Sequence, residues 1–179
     1  MQGEMSASTR IDLERFVPFR LNRLAAEVSR ALARVYGERF GMDVPEWRVI
    51  ATLGDRGRAR AQDIALSTRM HKSMVSRAVA RLLDLGWVGR SANARDRREA
   101  PLHLTAAGRE VYQQLVPTVL DYQERLLAAL TESERHLFER LLAKLERQLD
   151  LPCQPTHPEQ RPSGGAASLP EPSRTGPAP

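Results

Sequence analysis

Two stretches of the chain hold residues able to engage a polyanion. The first is Lys72-Ser73-Met74-Val75-Ser76-Arg77, continuing to Arg81. At helical spacing, Val75, Val79 and Leu82 share one face, and Ser73, Arg77, Ala80 and Asp84 share the opposite one, flanked by Ser76 and Arg81. Small residues let a helix backbone approach a surface closely. Ser hydroxyls and Arg forks pair with base edges or phosphates, as a helix seated in the DNA major groove requires. The second stretch is Asn93-Ala94-Arg95-Asp96-Arg97-Arg98. A narrow minor groove has enhanced negative potential and accepts an inserted Arg. Asp96 suits the orienting of a neighbouring guanidinium, because Arg–carboxylate pairs are geometrically specific. Arg56, Arg58 and Arg60, spaced two apart, fit one edge of a short strand and add phosphate contacts. An ordinary solvated face carries the same residue types, so it is the combination that gives them meaning.

Charge supports the combination. The 179 residues carry 27 basic and 22 acidic side chains, a net charge of +5. Residues 47–105 hold 12 basic and 5 acidic residues, a net of +7, which leaves −2 for the rest. Such a localised excess is the electrostatic footprint of nucleic-acid contact. It argues against a helix-turn-helix used only for protein contact, which calls for an apolar or acidic face. No glycine-rich phosphate loop, nucleophile–base pattern or metal-ligand spacing occurs, so no catalytic residue, metal site or cofactor is expected. Cys153 is the single cysteine. No apolar run approaches a membrane span, and no secretory signal is recognisable, so the cytoplasm is the expected compartment.

The elements that position these residues are mostly helical. Val17, Leu21, Leu24, Val28, Leu32 and Val35 mark a long amphipathic helix ending near Gly41. Pro45 suits the first turn of a second helix, closed by Gly54 and Gly57. A short helix about 62–67, a turn near Met70 and a helix about 72–85 with Gly86 behind it follow. Residues 87–90 and 100–104 alternate as the strands of a hairpin around the charged tip. Thr105 caps another long helix, with Val111, Leu115, Val119, Tyr122, Leu126 and Leu130 on one face. Thr131-Glu132-Ser133-Glu134 forms a capping box that opens a last helix striped by Leu137, Leu141, Leu145 and Leu149. The fold class is mainly α with a small β-wing: a winged helix-turn-helix lobe at about 46–105, with long helices at about 12–41 and 106–150. The outer helices hold more apolar surface than a small core needs, which points to packing against a second copy. Residues 1–10 are expected to be flexible. Residues 151–179, with eight of the twelve prolines, are expected to be disordered.

Ile64-Ala65, Lys72-Ser73-Met74-Val75-Ser76-Arg77, Leu82, Leu85-Gly86-Trp87-Val88, Asp96-Arg97-Arg98, Leu104-Thr105-Ala106-Ala107-Gly108 and Pro45-Glu46-Trp47-Arg48-Val49-Ile50 occur in an ordered series. In that series the chain resembles the MarR family of bacterial transcriptional regulators over about residues 12–150. The resemblance implies a homodimer of triangular outline, joined by the first and the last two helices. Its two winged lobes would bind a pseudopalindrome. It makes 72–81 the recognition helix, with Ser73, Ser76 and Arg77 as contacts, and sets Asp96 and Arg98 on the family's wing Asp-x-Arg. Arg98 then becomes the minor-groove probe, with Arg97 facing phosphate or solvent. His71 departs from the acidic or small polar residue many members place before that helix, which leaves the helix start open.

Many members are repressors released by a small ligand, often an aromatic carboxylate or its thioester, bound between dimer region and DNA lobe. Here that cleft would adjoin Arg20 and Trp47, which are also readable as a surface or dimer contact and a core residue. The expectation is a ligand-responsive homodimeric repressor contacting DNA through Arg58, Arg60, Lys72, Ser73, Ser76, Arg77, Arg81, Arg95, Asp96, Arg97 and Arg98. A ligand-insensitive or architectural DNA binder of the same fold is the alternative.

Overall fold

A computed structural model describes residues 10–91 and 100–151. Its contacts divide the chain into residues 1–139 and residues 140–179. The first unit contains α1 (Val17–Phe40), α2 (Val44–Arg56), β1 (Arg58–Ala59), α3 (Ala61–Thr68), α4 (Lys72–Asp84), β2 (Val88–Arg90), β3 (Leu102–Leu104) and α5 (Ala106–Leu127). α6 (Glu132–Gln148) begins there, and its residues from Arg140 on belong to the second unit. The mainly α winged helix-turn-helix architecture expected from the sequence is present. The tip of the wing, residues 92–99, and the terminal segments lie outside the described residues.

Local chemistry explains most boundaries. Gly41 ends α1 in the left-handed conformation, φ 60°, which glycine adopts at no steric cost. Asp43 and Glu46 close a reciprocal capping box at the start of α2: each carboxylate accepts the other residue's backbone N–H at 2.8 Å. Gly57, at φ 73°, ends α2. Gly54 does not end it. It lies inside the helix, where a Cβ would stand 2.5 Å from the Tyr112 ring, so it is a close-packing position. Nor do Arg56, Arg58 and Arg60 share one strand edge. Arg56 finishes α2, Arg60 precedes α3, and Arg58 alone lies in β1.

β1 makes the wing sheet three-stranded, in the order β1-β3-β2 and antiparallel throughout. His103 sits opposite Arg58 on one side and Gly89 on the other. Thr105 joins sheet to α5: its hydroxyl donates to Gly86 O at 2.6 Å and accepts from Gly108 N at 3.1 Å. The core lies between α2, α3, α4, the sheet and the start of α5, around Ile50, Leu53, Ile64, Val75, Leu82, Leu102 and Leu115. Tyr36 on α1 is buried in it too, and this burial pushes its hydroxyl pKa up.

The outer helices are apolar without being buried. Leu21 and Leu24 on α1 are 45% and 52% exposed. α6 buries no residue, and Leu137, Leu141, Leu145 and Leu149 all stand open. No helix among the described residues is long and apolar enough to cross a membrane.

Candidate nucleic-acid interface

The expected recognition helix is α4, and its inner face is fixed first. Val75, Val79 and Leu82 are buried as the spacing requires, with Ala78 beside them. α3 packs against α4 through Ile64 and Ala65. Arg69 turns the chain between them in the left-handed region, φ 54°, and Met70 is buried at the turn. The open question of where α4 begins is answered by His71. Its Nδ1 accepts the Ser73 N–H at 3.3 Å and lies 2.8 Å from Ser73 Oγ. An imidazole nitrogen thus fills the place of a capping oxygen, and α4 starts at Lys72.

The outer face of α4 is what the spacing predicts, with two differences. Lys72, Ser76, Arg77 and Ala80 are exposed. Lys72 and Arg77 have no ion-pair partner among the described residues. Ser73 is exposed too, but its hydroxyl is engaged by His71. Arg81 departs further from a base- or phosphate-reading role. Its Nε lies 3.2 Å from Glu46 Oε1, and its Nη2 donates to Gly41 O at 3.0 Å. The guanidinium pairs with the start of α2 and the end of α1. Glu46, 2% exposed, is a functional-looking residue that the sequence reading missed.

Around α4, Arg58 is exposed on the edge strand β1, and Arg60 is exposed where its backbone N–H donates to Asp63 Oδ2 at 3.3 Å. β2 and β3 present the wing. Ser91 N donates to Pro101 O at 3.0 Å beyond the last paired residues. Arg95, Asp96, Arg97 and Arg98 lie outside the described residues.

The two residues named for an effector are not brought together. The Trp47 ring stacks on Tyr36, with centroids 5.7 Å apart and planes 19° apart, against the core. Arg20 is exposed on α1, beside a shallow depression shared with Val17, Leu21, Arg23, Leu24 and Glu27. A different cavity, about 370 Å³, lies between the end of α2, β1, β3 and α5. No local pattern marks it in the sequence, since its lining comes from distant segments.

Comparison with known proteins agrees with this geometry. The MarR family model matches residues 40–99. The HTH-type transcriptional repressor Rv2887 of Mycobacterium tuberculosis is 29% identical over 68% of this chain and 84% of its own length. The HTH-type transcriptional regulator PecS of Dickeya dadantii is 26% identical over 72% of this chain and 79% of its own. A MarR/EmrR family regulator from Acinetobacter sp. ADP1 superposes with a TM-score of 0.71 at 26% identity, covering 78% of this chain and 99% of that one. The structure of Rv2887 in complex with salicylic acid matches with a TM-score of 0.60 at 25% identity, over 72% and 95% of the two chains. With this fold, this helix-turn-helix and these relatives, the chain is similar to the MarR family of DNA-binding transcriptional regulators, whose model it matches over residues 40–99.

Proposed function

We propose that the chain is a homodimeric repressor that binds a pseudopalindromic operator and is released by a small ligand. The observation that carries the DNA reading is the outer face of α4, where Lys72, Ser76 and Arg77 project with no partner among the described residues, beside a three-stranded wing. Ser76 and Arg77 read bases in the major groove. Lys72, Arg58 and Arg60 hold phosphates, and Ser73 joins them when its hydroxyl leaves His71. Arg98, oriented by Asp96, enters the minor groove, flanked by Arg95 and Arg97. Arg81 acts at one remove, by fixing α4 against α1 and α2.

The dimer reading rests on the exposed apolar residues of α1 and of α6. Apolar faces of this kind are covered in a stable soluble protein. The ligand reading is supported by Rv2887, a repressor whose structure holds salicylic acid. Sedimentation of the free protein and of its complex with a footprinted operator tests both symmetry claims. Two protomers per site are expected, with half-sites about 10–10.5 base pairs apart centre to centre. A monomer on a single asymmetric half-site would refute the dimer.

A further inference from the structure

We infer that Met74, in the first turn of α4, reads the C5-methyl group of a pyrimidine in the major groove, and so selects thymine or 5-methylcytosine at one position of each half-site. The inference rests on the proposed seating of α4 in that groove. A recognition helix meets base edges with its N-terminal residues, and Met74 is the third residue of α4. Its N–H donates to His71 O at 2.9 Å, beside the bond from Ser73 N to the His71 ring. The backbone that carries Met74 is therefore fixed before DNA arrives. Arg77 lies three positions on, which makes it a neighbour of Met74 on the helix surface. Cα–Cβ bonds tilt toward the N-terminus of a helix, which inclines the Met74 side chain toward the leading end.

Met74 is the one large apolar side chain of α4 that stands open. It is 38% exposed, whereas Val75, Val79 and Leu82 are buried and Leu83 packs partly against the core. The rest of the outer face limits what the helix can read. Arg77 suits guanine, and the Ser hydroxyls pair with several bases. α4 holds no Asn or Gln, the side chains that take adenine N6 and N7 together. Its single carboxylate, Asp84, lies ten residues beyond Met74, about 15 Å along the axis. An A·T pair facing this helix thus offers one distinctive feature that α4 can use, the thymine methyl. Met74 is the apolar group long and flexible enough to cover it. Ala80, exposed as well, stands six residues further on, about 9 Å along the axis, and reaches out by a single carbon. 5-Methylcytosine presents its methyl at the same edge position as thymine, so a methylated C·G pair meets Met74 as a T·A pair does.

Anisotropy titration of the full chain onto its footprinted operator tests this, with each thymine in turn replaced by deoxyuridine, which lacks only the methyl. At one thymine per half-site the change should weaken binding about fourfold, the worth of one buried methyl group. Met74→Ala should bind thymine and deoxyuridine there equally, and Met74→Leu should keep the preference. With that T·A pair replaced by C·G, methylating the cytosine at C5 should strengthen binding by about the same factor. Met74 is exposed, so both variants should fold with an unchanged Tm. No methyl-sensitive thymine, or equal sensitivity in Met74→Ala, would overturn the inference. Replacing guanines with 7-deazaguanine, which lacks the N7 offered to Arg77, checks the seating of α4 separately. Sensitivity to that change without sensitivity to deoxyuridine keeps α4 in the groove and removes Met74 from base reading. Insensitivity to both removes α4 from the groove, and the inference with it.

Discussion

The Arg81 guanidinium, on α4, lies 3.2 Å from the carboxylate of Glu46, a side chain 2% exposed at the start of α2. The other oxygen of Glu46 accepts the Asp43 N–H, and the same guanidinium reaches Gly41 O. One carboxylate thus ties α4 to the junction of α1 and α2. Arg81 itself is 55% exposed, so solvent screens part of the pair's energy. Glu46 cannot turn to water.

Removing either partner should therefore cost stability. Glu46→Ala loses the cap and strands Arg81, and Arg81→Met leaves a buried carboxylate short of a partner. We expect a loss of about 1–3 kcal/mol for each, read as a shift in urea midpoint with unchanged m-value. A double variant costing the sum of the singles would show that the two do not act together.

Arg81 and Lys72 should differ on DNA. Lys72→Ala should weaken binding to all sequences and lower the salt slope by about 1, as loss of a phosphate contact does. Arg81→Met should weaken binding with the slope unchanged, because the role proposed for Arg81 is to position the helix and not to hold a phosphate. Affinity measured across a salt series separates them; a reduced slope for Arg81→Met would place Arg81 on the DNA.

Arg77 and Arg98 should carry sequence preference. Replacing either with Ala should cost about 1–3 kcal/mol on the operator and relax discrimination at the contacted positions. Binding to a panel of single-base operator variants gives the answer. A folded Arg98→Ala variant with full affinity would take the wing out of the mechanism.

Gly108→Ala should reverse the usual helix rule. In an open helix the change stabilises, by roughly 1 kcal/mol. Here the new Cβ would stand 1.9 Å from the carbonyl oxygen of Trp87, and backbone cannot swing aside as a side chain does. A net loss of about 1–3 kcal/mol is expected, visible as a lower Tm. A raised Tm would mean that the α5–sheet junction is looser than the structure has it.

These contrasts also mark what was legible in the sequence. The helices, the wing strands and the inward face of α4 follow from local periodicity and caps, as with Thr131 and Glu134. There Glu134 accepts the Thr131 N–H and hydroxyl, each at 2.8 Å, and both bonds lower its carboxyl pKa. What was misread depends on distant partners. Gly54 looks like a stop and is instead the seat of Tyr112. β1 has no alternation of its own and exists because β3 offers an edge. Arg81 looks like its exposed neighbours until Glu46 is seen beside it. His103, Arg109 and Arg58 share a cavity only because the sheet order interposes β3 between β1 and β2. Asp43 and Glu46 do carry a local signal, the same spacing as Thr131 and Glu134, on either side of Pro45.

The central claim is sequence-specific binding by the α4 face and the wing. It is tested most directly by fluorescence anisotropy, titrating the protein onto DNA from upstream of its own gene and onto a scrambled duplex at near-physiological salt. The account predicts binding to the first at least about 10³-fold tighter than to the second. Equal, weak binding to both would contradict it, and would reduce the basic lobe to a non-specific electrostatic surface.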